Sequence, residues 1–232
     1  VNIKTAETIV GGLSQTSKMP TMSISLPATL CKTGSKLRNV KGSVCSKCYA
    51  CKGAYTWKPT EIAMQRRHDA LVNDQWVNAM VALMNNKKRI VNSGLFRWHD
   101  SGDLQNLDHL HKIVEVAKRT PHIKHWIPTK EKKMLSDYLK ENKLPPNVVI
   151  RLSGAMIDGD IPKAHKHTST VTSDHKLATC KAYLTDKTGK QWPHDVVQAM
   201  DKKQKKALDF GHCGDCRQCW DKTVSNVVYL AH

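Results

Sequence analysis

Acidic residues are scarce in this chain: 20 Asp and Glu stand against 37 Lys and Arg, a formal charge of +17 over 232 residues. That balance draws polyanions, so nucleic acid, a nucleotide or an acidic protein are the partners it favours; the plain alternative is a solubilising surface, because the positive charge is spread along the chain. Long apolar runs are missing too. None approaches the roughly 20 residues needed to cross a bilayer, and the first residues carry no signal-peptide pattern, so the expectation is a soluble, cytosolic protein with no membrane partner. Two catalytic signatures are also absent. There is no Gly-x-x-x-x-Gly-Lys phosphate loop and no Gly-x-Ser-x-Gly nucleophile elbow, which removes the corresponding nucleotide hydrolase and esterase readings.

Cysteine, by contrast, is arranged. Cys45, Cys48 and Cys51 repeat at two-residue spacing near the start, and Cys213, Cys216 and Cys219 repeat it near the end; Cys31 and Cys180 lie upstream of each triplet, so all eight cysteines divide into two groups of three plus one. Three closely spaced thiolates suit a cubane iron–sulfur cluster, because a short loop presents successive sulfurs to different irons. Zinc more often takes two separated Cys-x-x-Cys pairs, and disulfides fit worst, since neighbouring cysteines compete for partners in a chain that is not a small, loop-rich secreted domain. All eight are therefore candidate ligands for one or two [4Fe-4S] clusters.

A single domain spanning 1–232 accommodates the length, with residues 1–20, polar and bearing Gly11 and Gly12, expected as an extended lead-in. Thr21 to Leu26 alternates polar and apolar residues as a half-buried strand does, and Lys32 to Val44, with Gly34, Gly42 and four basic residues, reads as a loop delivering the chain to Cys45. From Pro59 and Thr60 helical character begins, and Trp76, Val77, Met80, Val81, Leu83 and Met84 form a stripe whose plain role is core. Strand and helix then alternate: Gly94 to Trp98, a helix on Leu107, Leu110, Ile113, Val114 and Ala117, Ile123 to Ile127, a short helix on Met134, Leu135, Tyr138 and Leu139, and Val148 to Leu152. The stretch from Ala155 to Ala178, with His165, His167 and His175, is weakly periodic and offers only Ser169 to Thr172 as strand; Pro193 suits a helix start, and Val224 to Leu230 suits a last strand. Six strands alternating with helices predict an α/β fold, a partial (β/α)6 TIM-like barrel whose ligands gather at the carboxyl ends of the strands.

The cluster His99, Asp100, Ser101, Gly102 and Asp103 follows directly on the second strand. Carboxylates beside an imidazole activate water, so His99, Asp100 and Asp103 are candidate catalytic residues, and a hydrolase is one reading of them. His125, Lys130, Arg151 and His232 are expected to face the same mouth, where they would bind an anionic substrate.

The order of these motifs resembles the radical S-adenosylmethionine (SAM) enzymes. In that family a six-strand partial barrel carries three cluster-binding cysteines after the first strand and a Gly-Gly-Glu motif after the second. The resemblance implies Cys31, Cys45 and Cys48 as cluster ligands with Tyr49 as their aromatic neighbour, Ser101, Gly102 and Asp103 as the SAM-binding motif, and Ser153 as a further polar contact to SAM. Three ligands would leave one iron open for SAM, and a reductant would be required. The spacing departs from the family: thirteen residues separate Cys31 from Cys45 in place of three, Asp103 stands for Glu, and Cys51 is a fourth thiolate able to close the open iron. Cys180, Cys213, Cys216 and Cys219 resemble the auxiliary clusters of such enzymes, although both triplets serving one shared cluster is equally open.

A second resemblance covers nearly the whole chain. Ser25 to Ala28, Cys45 to Ala50, Phe96 to Asp103, Trp126 to Lys130 and Cys213 to Trp220 are similar to motifs of the bacteriophage gene product 88-like proteins. It implies a phage origin and action in the cytoplasm of the infected bacterium. The expected function is a radical-SAM-like enzyme on a nucleic-acid-related or peptide substrate, with a cluster-stabilised nucleic-acid-binding protein and the hydrolase as alternatives.

Overall fold

Six short runs of β-branched and aromatic residues pair side by side, all parallel, in a computed structural model that describes residues 1–231. They are β1 (Ser23–Ile24), β2 (Leu95–Trp98), β3 (Lys124–Thr129), β4 (Val148–Ile157), β5 (Thr168–Thr172) and β6 (Asn226–Leu230), ordered across the sheet as they follow in the chain. Parallel neighbours need a crossover each, which is why helices separate the first four strands. The sheet is not closed: β1 and β6 are its two edges.

The alternation Met22, Ile24, Leu26 against Ser23, Ser25 decides which way the first strand faces. Ile24 and Leu26 point into the same apolar layer as Phe96, Trp98, Ile127, Ile150 and Leu152. Helices α4 (Trp76–Asn86), α6 (Leu107–Arg119) and α7 (Lys132–Glu141) cover that layer with Trp76, Met80, Leu83, Met84, Leu110, Ile113 and Leu135. The methionine and tryptophan stripe is core, as its spacing predicts; truncating one member, such as Leu83→Ala, costs about 2–5 kcal/mol. Helix α6 begins where the Asn106 side chain accepts from the His109 amide at 2.8 Å, and it ends before Pro121. The helical stretch that begins at Pro59 is broken in two, because α3 (Lys58–Asp69) gives way to a single 3-10 turn over Ala70–Val72 before α4.

Residues 1–20 are not an extended lead-in. Helix α1 (Ile3–Val10) buries Ala6 and Val10 against α4, with Asn2 capping the Thr5 amide at 2.9 Å and Gly11 closing the far end at φ 79°. Ile3, Ala6 and Val10 do share one helical face, but a run of only eight residues shows it weakly. Lys32–Val44 is likewise not all loop, since α2 spans Lys32–Leu37. Its first turn is held from a distance: the Glu131 carboxylate accepts from the Thr33 amide and hydroxyl, both at 2.9 Å. Strand β4 runs past Ser153 to Ile157 because its extension meets the first cysteine loop, where Ile157 donates to the Gly42 carbonyl at 3.0 Å.

The sheet's other face is built differently. Register sets Ser23, Arg97, Trp126 and Val149 in one row, and Ser169 opposite Val227. A turn over Gln218–Trp220 lays Trp220 across this row, its indole donating to the Phe96 carbonyl at 2.8 Å. No helix among the described residues is long and apolar enough to cross a membrane.

Candidate metal centres

The first cysteine group sits beyond the carboxyl end of β1. A 3-10 turn over Ala28–Leu30 ends at Cys31, and two more, Val44–Lys47 and Tyr49–Cys51, carry Cys45, Cys48 and Cys51. Three residues per turn bring side chains at i and i+3 to one side, so the two-residue spacing and the local backbone agree. Ser43 starts the series by accepting from the Ser46 amide at 3.0 Å. Gly34, buried in the first turn of α2, opens room between two of the sulfurs: a Cβ there would stand 3.6 Å from Cys45 Sγ and 3.7 Å from Cys31 Sγ.

Partly buried thiols beside other acidic groups resist ionisation. Burial pushes Cys31 up to about 12, and Asp103, Cys48 and Cys45 add to it. Burial raises Cys45 and Cys48 as well, against a lowering pull on Cys45 from Lys130. Lys130 follows β3 and donates its Nζ to the Gly154 carbonyl; burial lowers its pKa while Cys45, Asp103, Cys48 and Cys31 pull it back up. Asp103 accepts from the Thr129 hydroxyl at 2.6 Å and from the Lys130 and Leu104 amides at 2.8 and 2.7 Å, yet burial lifts it to about 6. Asp103 and Lys130 therefore join Cys31, Cys45 and Cys48 around one place.

The rest of the His99–Asp103 cluster points elsewhere. His99, in the left-handed region at φ 57°, lies in the helix layer between Trp98 and His109, with ring centroids 5.2 Å from His109 and both nitrogens unpartnered. Burial first, and then His109, drive its pKa well below the ordinary value. Asp100 turns to the opposite side, accepting from Ser23, from Ser25 at 3.0 and 3.1 Å and from Tyr55 at 2.9 Å, while Tyr49 bonds its carbonyl. Ser101 donates to the Leu26 carbonyl at 2.9 Å, and Gly102 sits at φ 82° where a Cβ would lie 2.6 Å from Leu26 Cβ. Both are spent on docking the loop against β1. The structure thus does not gather His99, Asp100 and Asp103 into a shared hydrogen-bonded set. Ser153 pairs with Ser169 at 3.1 Å.

Two of the residues expected at the mouth are placed otherwise. His125 is fully buried in the helix layer, where its Nδ1 accepts from the Trp98 indole at 3.2 Å and its Nε2 meets the Thr120 hydroxyl at 3.0 Å. Arg151 is fully buried and committed to backbone, its guanidinium donating to the carbonyls of Cys219, Gln218, Asp221, Val224 and Thr168 at 2.7–3.3 Å. His125 falls on the helix-covered face, whereas Arg151 shares the face of Trp126 and Val149 but is consumed by the turn over Gln218–Trp220. His232 lies outside the described residues.

The second group forms around β6. Cys180 donates its amide to the Val228 carbonyl at 2.9 Å, Cys213 to that of Lys18 at 3.0 Å, and Cys219 lies in the turn that Arg151 holds. Cys180, Cys213, Cys216 and Cys219 all line one cavity of about 290 Å³, together with Gly189, Gly214 and Trp220. None of the first group's cysteines lines it, so the eight thiols stand as two groups. Burial pushes Cys213 to about 11 and Cys219 to about 12. Among the described residues no three His, Cys, Asp or Glu side chains stand near enough to grip a single ion.

Between the groups stands Arg97, which lies within the Phe96 to Asp103 motif but is given no role by it. Its guanidinium covers Trp126 at 4.7 Å and donates to the Tyr49 hydroxyl at 3.4 Å, beside Cys48. Trp126 in turn meets Trp220, next to Cys219, at 5.1 Å. Parallel register brings Arg97 and Trp126 together, so the motifs mark these residues while local sequence gives no signal for their juxtaposition.

The family model described as gene product 88 matches residues 2–222. No curated protein and no solved structure matches the chain.

Proposed function

The chain belongs to the gene product 88 family, and from that premise we propose that it is an iron–sulfur protein with a radical-SAM-like site, acting on a nucleic-acid-related or peptide substrate in the cytoplasm of a phage-infected bacterium. The observation that carries the reading is positional. Cys31, Cys45 and Cys48 follow β1, Asp103 follows β2 and Lys130 follows β3, so the groups lie beyond the carboxyl ends of three adjacent parallel strands, the end where barrel-type folds keep their chemistry. The sequential strand order suits a partial barrel that has not closed.

What supports a [4Fe-4S] cluster is the cysteine spacing: successive thiols on a short loop suit a cubane, whereas zinc more often takes two separated Cys-x-x-Cys pairs, and Gly34 keeps a side chain from between the Cys31 and Cys45 sulfurs. With Cys31, Cys45 and Cys48 as ligands, such a cluster supplies an electron and a free coordination position to SAM, once an external reductant has charged it. Asp103, aligned by Thr129 and the Lys130 amide, would accept from the SAM amino group. Lys130 would hold the thiolates' charge in check, and Ser153 with Ser169 would offer hydroxyls from β4 and β5. Cys180, Cys213, Cys216 and Cys219 would ligate a second, fully closed cluster. The reading requires that Cys51, the fourth candidate thiolate of this group, stay off the open iron.

Purification without oxygen, followed by iron, sulfide and zinc analysis, tests the first half; a brown protein with both clusters is expected, and a colourless or zinc-only protein with normal folding would overturn it. Addition of dithionite and SAM tests the second half. Formation of 5′-deoxyadenosine should survive Cys51→Ser and disappear in Cys45→Ser; no product from a protein with intact clusters would remove the enzyme reading and leave the cluster.

A further inference from the structure

The segment that caps the first cysteine group has an unusual charge. From Cys31 to Thr60 it contains Lys32, Lys36, Arg38, Lys41, Lys47, Lys52 and Lys58 and not one Asp or Glu. All six lysines are exposed, and among the described residues none is paired with a carboxylate. In water such a surface repels itself and attracts a polyanion.

Aromatic rings stand among these charges. Trp57 is 65% exposed, while the other five tryptophans are buried or half-buried. It is not a loose side chain's backbone: its carbonyl accepts from the Thr60 and Glu61 amides at 2.9 and 3.0 Å, which fixes it at the start of α3. Tyr49 is half-exposed, its hydroxyl held by Asp100 and Arg97 and its ring edge-on to Tyr55 at 5.5 Å. Rigid rings flanked by Lys47, Lys52 and Lys58 provide stacking faces and phosphate contacts together.

We propose that this cap binds single-stranded nucleic acid, with Trp57 and Tyr49 stacking on bases and Lys47, Lys52 and Lys58 contacting phosphates. A duplex keeps its bases stacked on one another and has none to offer the rings. A membrane would need a continuous apolar face, whereas the cap is a series of 3-10 turns in which exposed lysines neighbour the rings in sequence. As a statement about substrate, the proposal rests on the radical-SAM-like reading, since the strand would lie over Cys31, Cys45 and Cys48. As a statement about binding it stands alone.

The test is fluorescence anisotropy of the anaerobically purified protein with a labelled oligothymidylate of about 16 nucleotides, over a salt series. Trp57→Ala is expected to weaken binding about ten-fold. The combined Lys47→Gln, Lys52→Gln and Lys58→Gln variant is expected to reduce the slope of log affinity against log salt by about 2. A matched pair, Lys202→Gln with Lys203→Gln, should leave that slope unchanged. Absence of binding at low salt, indifference to Trp57→Ala, or an equal loss of slope in the matched pair would overturn the proposal. So would equal competition by duplex DNA, anionic phospholipid vesicles or polyglutamate. Iron content and visible absorption of the same samples separate the two readings: strand binding by a colourless protein removes the cluster alone, and intact clusters without strand binding remove the cap alone.

Discussion

The Tyr229 hydroxyl lies 3.1 Å from Cys219 Sγ, on the inner face of the sheet. Burial and the neighbouring sulfur raise the phenol well above its ordinary pKa, so it stays protonated and acts as donor once Cys219 is a thiolate. A hydrogen bond to a ligand sulfur favours the reduced, more negative state of a cluster. If the proposed second cluster is present, Tyr229→Phe is expected to lower its potential by about 40 mV, the one-electron equivalent of about 1 kcal/mol. Redox titration monitored by electron paramagnetic resonance checks this.

Arg151 offers a mechanical counterpart. It is the clasp on the loop that carries Cys219, and the same guanidinium also donates to the Thr168 and Val224 carbonyls. Arg151→Met strands several carbonyls without donors and is expected to cost about 3–5 kcal/mol in chemical denaturation. Arg151→Lys should recover little, because an ammonium cannot span the same set of carbonyls.

Acid should unfold the protein partly through its buried imidazoles. Burial lowers both His109 and His125 to about 3, below the ordinary 6.5. Between these values the unfolded chain binds more protons than the folded one, so stability is full above about pH 6.5 and falls as pH drops towards 3. Each histidine contributes a loss of a few kcal/mol by the lower limit. In His125→Gln, the slope of unfolding free energy against pH across this window should be shallower by about one proton.

Gly34→Ala tests the space between Cys31 and Cys45. Its methyl would also lie 3.0 Å from Cys31 Cβ, forcing the loop to move. On the proposed two-cluster reading the variant is expected to lose the first group's iron and keep the second's, so iron per chain should fall by about half. Equal loss from both sites, or none, would contradict the assignment of two separate clusters.

Much of the architecture was legible because short-range periodicity carries it. The alternation around Ile24, the spacing of Leu110, Ile113 and Val114, and the apolar run at Val148 each report which face is buried. What escaped was held by distant partners. Helix α2 depends on Glu131, nearly a hundred residues away, and the far half of β4 depends on Gly42. Asp103 and Lys130 were visible as polar residues beyond strand ends, but His125 and Arg151 were not separable from them by position alone. A one-residue step along a strand moves a side chain from one face to the other, and the strand's limits blur that step.

By itself, then, the sequence determined the spacing of the eight cysteines, the excess of basic residues and six strands, most of them separated by helices, because each is written in composition or in spacing of a few residues. Tertiary structure alone decided that the cysteines form two groups, that Arg97 and Trp126 stand between them, and that His99 turns away from Asp103. Those relationships depend on strand register and on contacts between residues far apart in the chain, which no local pattern encodes.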